Sequence, residues 1–421
     1  MQENLRIARA EQFERTRLRT LEIFDSVEEP ILHQSPGFGF RPILWHLAHF
    51  GAFEEYWLLQ NLTKAAQINE RFQIIFDPIK TPRESSKNLP SKAEMIQYLE
   101  KVRSGVLKVL EIADFDPENP LLRDGYVFDL VHQHELQHQE TLAYLFHLLP
   151  LAEVQSLKSK VQSLPENRES KVEAERMKVF AAGDFQFGAS GGEFVYDNEI
   201  PAHNRFVPAF KLDARLTSNA EFADFIAEQG YKRREFWSEE GWQHQEKENW
   251  NAPVYWRKNE NDWLIRAFAE EKSLSESADY PVYGVSFYEA EAYANFRGKR
   301  LPNEFELECA ALSNVESSTE NCNFGFKFWN TTPVDCFGQR GGMYDLGGNL
   351  WEWTTSDFAA YPNFKAFPYP EYSEEWFDGD HKVLRGGSWA TSEEILRPTF
   401  RNFFRRHFRI AFAGIRLAEN V

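Results

Sequence analysis

"HQHELQHQE", from His132 to Glu140, sets three histidines and two glutamates into nine residues. It is either a metal site on a helix or a solvated helical face, and the choice shapes the reading of the N-terminal third of the chain. Its flanks are apolar, and the surrounding sequence predicts a helix over Gly125–Leu148. On a helix, residues four apart share one face, so His134 and His138 can bind one ion together. The two-residue offset of His132 turns it elsewhere. A second apolar stretch carries "WHLAH", in which His46 and His49 stand three apart and also share a face. Two histidines from one helix and one from the other give a three-imidazole face with open coordination positions. Imidazole suits Zn, Cu, Fe and Ni, and open positions are what oxygen or water activation requires. The plain alternative is a set of hydrogen-bonded core histidines. Five of the eleven histidines falling in two short helical windows weighs against it. Glu135 and Glu140 are either orienters of the histidines or surface residues.

The stretch also contains the string H-E-x-x-H at His134–His138, the signature of zinc proteases. Such an enzyme needs Glu135 as base and a third ligand downstream. The next histidine, His147, is nine residues on with no glycine turn between. A zinc hydrolase stands as an alternative.

Periodicity extends the helical reading to about residue 155. Helices are predicted at Asn4–Phe24, Pro42–Leu62, Lys92–Ile112 and Gly125–Leu148, punctuated by Pro42, Pro90, Pro117 and Pro120. That is a four-helix bundle in residues 1–155. Residues 156–176, polar and poor in bulky side chains, read as a linker. From residue 177 to 421 the pattern changes to short β-like runs, glycine-containing turns and brief helices such as "SNAEFADFIAEQ" and "SFYEAEAYANFRG". The fold class is therefore multidomain, an α domain followed by an α+β domain. Aromatic residues make up 15% of the chain, which disfavours disorder and favours a loop-rich fold pinned by large rings.

The 47 basic against 65 acidic residues give a net charge of −18, so neither nucleic acid nor an anionic membrane is expected as a partner. Any anionic substrate needs a local cluster of Arg or Lys. Three cysteines fit a reducing compartment, and a charged, helical start without an apolar core predicts a soluble cytoplasmic protein. Association into a homo-oligomer is compatible with the sequence.

Four longer stretches carry a resemblance. "FQFGASGGEFVYDNEIPAHNRFVPAFKLDARLTSNAEFADFI", "GKRLPNEFELECAAL", "YDLGGNLWEWTTSDF" and "VLRGGSWATSEEILRPTFRNFFRRHFRIAFAGIRLAEN" together resemble the formylglycine-generating-enzyme-like domain, over residues 177–421 and in the family's order. The resemblance implies an irregular α+β fold related to C-type lectins. "WHLAH" and "HELQHQE" resemble a DinB-like four-helix domain. The two in this order resemble the ergothioneine-biosynthetic sulfoxide synthases and the related selenoneine synthases, non-heme iron enzymes. The sulfoxide synthases join a thiol sulfur to a histidine-derived imidazole with O2. The resemblance implies Fe(II) held by His49, His134 and His138, with Gln137 hydrogen-bonded to the substrate imidazole. His46 becomes a packing or supporting residue. The substrates implied are hercynine or histidine, O2, and a thiol such as cysteine or γ-glutamylcysteine. A selenosugar is the donor in the selenoneine reading.

The tail supplies further expected substrate contacts. Hercynine carries a trimethylammonium group, which sits well over aromatic faces. Asn402 matches a family substrate contact, Phe403 stands where the family has Trp, and Trp389 is expected to line the same pocket, with core packing as the alternative for each ring. The chain also departs from the family pattern. It reads "RNFFRR" where the family has "RNWDYP", so Phe404 replaces an acidic residue. In "SDFAAYPNF" the catalytic tyrosine position falls on Phe358 and a companion tyrosine on Tyr361, which becomes the candidate proton donor because a phenyl ring has none to give. The loop "FDPIKTPRESSKNLP" offers Lys80 and Arg83 for a thiol substrate's carboxylate, joined by Arg405, Arg406 and Arg409 of the tail. Formylglycine generation itself is disfavoured, because the segment before "GIR" lacks paired cysteines. "DLGGNLWEW" (Asp345–Trp353) suggests a structural Ca2+ bound through backbone carbonyls, Asn349 and Glu352, or else a tight buried turn. "DNEIPAH" (Asp197–His203) marks the family without evident chemistry and is expected to organise a loop. Against all these readings stands a non-catalytic small-ligand binding module with structural histidines.

Overall fold

A computed structural model describes residues 2–162, 176–191, 194–260, 262–313, 322–338 and 340–421. The chain divides into two compact units, the first made of the described residues up to Lys158 together with Phe194, and the second of the remaining described residues.

The first unit is helical. Its principal helices are α1 (Gln2–Asp25), α2 (Trp45–Glu54), α3 (Lys92–Ile112) and α4 (Tyr126–Leu148). The start of α3 is fixed locally. The Ser91 hydroxyl accepts the Glu94 amide, and the Glu94 carboxylate accepts the Ser91 amide, so two otherwise orphaned donors are satisfied. One face of α3 buries Met95, Tyr98, Leu99, Val102, Val106 and Leu110 at helical spacing. α1 packs on α4, and α2 on α3 and α4. A glycine makes one of these contacts possible: a Cβ at Gly51 of α2 would lie 2.6 Å from a Leu99 methyl. Two shorter helices, Glu29–Leu32 and Glu70–Ile75, carry too few turns to show a period in the sequence.

The predicted helix over Pro42–Leu62 differs in form. After Glu54 the chain continues as a π-helix, Glu55–Asn61, a rare geometry concentrated at functional sites. At this junction two successive carboxylates point inward. Glu54 takes Arg17 and Arg103, and Glu55 takes Tyr98 and Gln73. The expected linker also needs adjustment at its start. The 3-10 turn Gln155–Lys160 buries Leu157, and Ser156 donates to the Ser26 carbonyl, so the first compact unit runs three residues past 155. The remainder, residues 163–175, lies outside the described residues.

The second unit is built from small sheets. Strands β1 (Met177–Phe180), β4 (Phe210–Asp213) and β12 (Ala418–Asn420) form one, and β2 (Gly183–Phe187) pairs with β3 (His203–Val207). β5 (Trp256–Asn259), β6 (Asp262–Ala267) and β7 (Glu270–Ser273) form a meander. A four-stranded sheet orders β10 (Asn402–Arg405), β9 (His381–Arg385), β8 (Trp351–Asp357) and β11 (Ala413–Gly414), with β11 parallel to β8. The two brief helices expected from sequence form at Asn219–Ala227 and Phe287–Phe296, each opened by a Ser–Glu capping box. The core combines rings with buried ion pairs: Arg416 holds both oxygens of Glu352, and Arg401 holds Glu304. Among the described residues no helix is long and apolar enough to cross a membrane.

Candidate metal centre

In the helical unit, α2 presents His49 and α4 presents His134 and His138, and one ligand atom from each lies within 4.8 Å of the others. Among the described residues this is the one cluster of three or more His, Cys, Asp or Glu side chains close enough to share an ion. α4 is otherwise enclosed. Between Leu130 and Phe146 only His134, Gln137, His138 and Thr141 keep partial exposure. They stand at i, i+3, i+4 and i+7, one stripe of the helix. His132 points away, its Nε2 against the Thr16 hydroxyl at 2.8 Å.

The rings are held by their surroundings. His49 Nδ1 donates to the Phe76 carbonyl at 2.8 Å, which leaves the Nε2 lone pair for a ligand. Trp45 stacks on His49 at 4.5 Å and Phe53 on His134 at 3.8 Å. His138 Nδ1 faces His46 Nδ1 at 3.1 Å. Burial pushes the His49 imidazole down to about 4 and His46 to about 3. Burial, then the neighbouring imidazoles, holds His134 and His138 well below the usual histidine range. All four are therefore neutral at pH 7, the form in which imidazole binds a cation. Three neutral nitrogen donors with oriented rings fit a divalent transition metal and leave coordination positions for other ligands.

Glu135 faces the other way. Its carboxylate accepts two hydrogen bonds from Arg17 at 2.9 Å and one from Thr20 at 2.7 Å, with Arg103 at 3.8 Å. Burial raises its pKa, but Arg17 and Arg103 more than offset that and keep it below the ordinary carboxylate range. A base committed to two guanidiniums does not activate water, so H-E-x-x-H here is a coincidence of spacing. Neither the role of Glu135 nor the inward turn of Glu54 and Glu55 is readable from sequence, since charged residues on a helix read first as surface.

Lys80 and Arg83 are exposed on the loop that follows Phe76. Lys80 pairs with Asp77 at 2.9 Å and Arg83 reaches the Gly39 carbonyl at 3.3 Å.

In the second unit the expected residues divide. Asn402, Phe403 and Phe404 lie on β10 and are partly exposed. Phe403 stacks on Phe358 at 4.0 Å, and Phe404 on Phe408 at 4.7 Å. Tyr361 is enclosed. It is 4% exposed, and its hydroxyl accepts from Arg385 at 3.0 Å and donates to Glu304 at 3.3 Å. Burial raises its pKa far above neutrality. Phe358 is likewise enclosed. Trp389 is 1% exposed and packs among Phe268, Phe326 and Phe412. Glu289 takes Arg409 in a bidentate pair at 2.7 and 2.8 Å. Arg405 pairs with Asp380, and Arg406 with Glu240 and Asp357, at more exposed positions.

In the turn expected to hold calcium, both oxygens of Glu352 accept from Arg416. Asn349 bridges Thr332 and Asp345, whose carboxyl burial pushes up to about 8, so the turn is knitted by its own hydrogen bonds. "DNEIPAH" organises loops as expected: Asp197 accepts from Ser373, and Glu199 from Arg397 and Thr399.

The DinB superfamily matches residues 12–142, and the sulfatase-modifying factor enzyme 1-like domain matches residues 161–421. The chain is 34% identical to the hercynine oxygenase of Mycobacterium tuberculosis (strain ATCC 25618 / H37Rv), over 97% of each chain. It is 33% identical to that of Mycolicibacterium thermoresistibile, over 98% of this chain and 94% of the other. It is 30% identical to ergothioneine biosynthesis protein 1 of Schizosaccharomyces pombe, over 54% of this chain and 28% of the other. The chain thus belongs to the hercynine oxygenase family, in which a DinB-superfamily domain precedes a sulfatase-modifying-factor-enzyme-1-like domain.

Proposed function

We propose that the protein is an O2-dependent non-heme iron enzyme of ergothioneine biosynthesis that joins a thiol sulfur to an imidazole carbon of hercynine. The observation that carries this reading is the cluster of three neutral imidazoles on α2 and α4, in a chain similar along its whole length to hercynine oxygenases. Iron(II) held by His49, His134 and His138 would supply O2 reduction and a position for a soft thiolate donor. The reaction balances with a sulfoxide product. One C–H and one S–H bond break, C–S and S–O bonds form, and the four electrons released reduce O2, one oxygen entering product and the other water.

The chain's own residues bind and orient. Gln137, on the accessible stripe beside His138, holds the substrate imidazole through its side-chain amide. Lys80 and Arg83 take the thiol substrate's carboxylate. The commitment of Glu135 to Arg17 argues against a zinc hydrolase. Anaerobic loading with Fe(II), followed by O2 uptake with hercynine and a series of thiols or a selenosugar, tests the reading. Uptake that needs both organic substrates supports it. Uptake with the selenosugar alone moves the donor to selenium, and none with any pair overturns it.

A further inference from the structure

His46 lies outside the three-histidine cluster, yet it is buried against it. It is 7% exposed, its Nδ1 stands 3.1 Å from His138 Nδ1, and its Nε2 meets no partner among the described residues. Two ring nitrogens at this distance share one proton. When the proton sits on His46, His138 accepts it, carries its own proton on Nε2, and has no lone pair left for a cation. When the proton sits on His138 Nδ1, His46 accepts it, and His138 Nε2 is free to bind. The contrast with His49 is instructive, because its partner is the Phe76 carbonyl, which can only accept. An imidazole partner allows both arrangements, so the ion's arrival must select one.

We infer that His46 is a positioning residue that accepts the His138 Nδ1 proton in the metal-bound protein, orienting the ring and presenting its Nε2 to the ion. The inference rests on the metal reading above. It requires His46 to carry its own proton on Nε2, the nitrogen that the fold leaves unpartnered. A partner of this kind contributes about 10- to 100-fold to metal affinity.

Anaerobic competition for Co(II) against a chelator, on the full chain, separates the possibilities. His46→Phe keeps a ring but no acceptor and should bind Co(II) about 10- to 100-fold more weakly. His46→Asn returns an oxygen near the place of Nδ1 and should recover most of that loss, with thermal unfolding confirming that both variants fold. Equal affinities for wild type and the folded His46→Phe chain overturn the inference and leave the metal reading standing. Absence of Co(II) binding by wild type removes both. Should His46→Phe not fold, nitrogen-15 spectra of the zinc-loaded wild-type protein decide directly. His138 protonated on Nδ1 and His46 on Nε2 is the expected pattern, and a proton on His46 Nδ1 contradicts it.

Discussion

Replacing Glu135 by Gln tests whether the glutamate inside H-E-x-x-H is a structural anion. The change keeps the shape of the side chain and removes its charge. In the wild type, two guanidiniums, Arg17 and Arg103, face two carboxylates, Glu54 and Glu135, and all four side chains are buried. In the variant two cations face Glu54 alone. Removing one partner from a buried pair costs about 3–5 kcal/mol, because the charge left behind stays desolvated. For a unit of this size that is a fall of roughly 6–20 °C in the melting temperature, read by scanning calorimetry on the full chain. The effect depends on pH with a definite sign. The folded pKa of Glu135 lies below its unfolded value of about 4.3, so its contribution is complete above that value. It is lost as pH falls through the lower folded value, and the two melting curves should converge there. A variant that melts within about 1 °C of wild type at pH 7 would refute the buried-network account. Unchanged stability combined with loss of a zinc-dependent hydrolysis would restore the protease reading.

Further outcomes are expected at the site. His49→Ala, His134→Ala and His138→Ala should each abolish stoichiometric metal binding, read by elemental analysis after loading. Gln137→Leu should retain metal affinity while raising the hercynine KM about tenfold, the equivalent of one hydrogen bond of about 1.4 kcal/mol; an unchanged KM would remove Gln137 from the substrate. Tyr361→Phe should lower stability by about 1–3 kcal/mol, since Arg385 and Glu304 lose a buried partner. Its O2 uptake should stay near wild type, whereas a loss of several hundredfold would mark the phenol as the proton donor after all.

The sequence made the local devices readable. Ser91, three residues before Glu94, fixes the start of α3, and the four-residue spacing of His134 and His138 puts them on one face. What it hid is non-local. Arg17 meets Glu135 across 118 positions of sequence, and no spacing rule reports such a pair. The π-helix was missed because Glu54 and Glu55 interrupt an apolar run as surface residues would. In the second unit the exposure of Tyr361, Trp389 and Arg409 is set by how neighbouring elements pack, which spacing does not report. Tyr361 is closed in beside Arg385 and Glu304, and Arg409 against Glu289. Phe403 on β10 stays partly exposed, while Arg401, just before the strand, is buried on Glu304.

The most direct test of the central claim is mass spectrometry of the product formed from hercynine and a thiol by the iron-loaded enzyme under 18O2. The account predicts a species containing both the hercynine skeleton and the thiol sulfur, joined at an imidazole carbon, with one labelled oxygen on sulfur. Unaltered hercynine with every thiol and selenol tried, while one equivalent of iron stays bound, would contradict it.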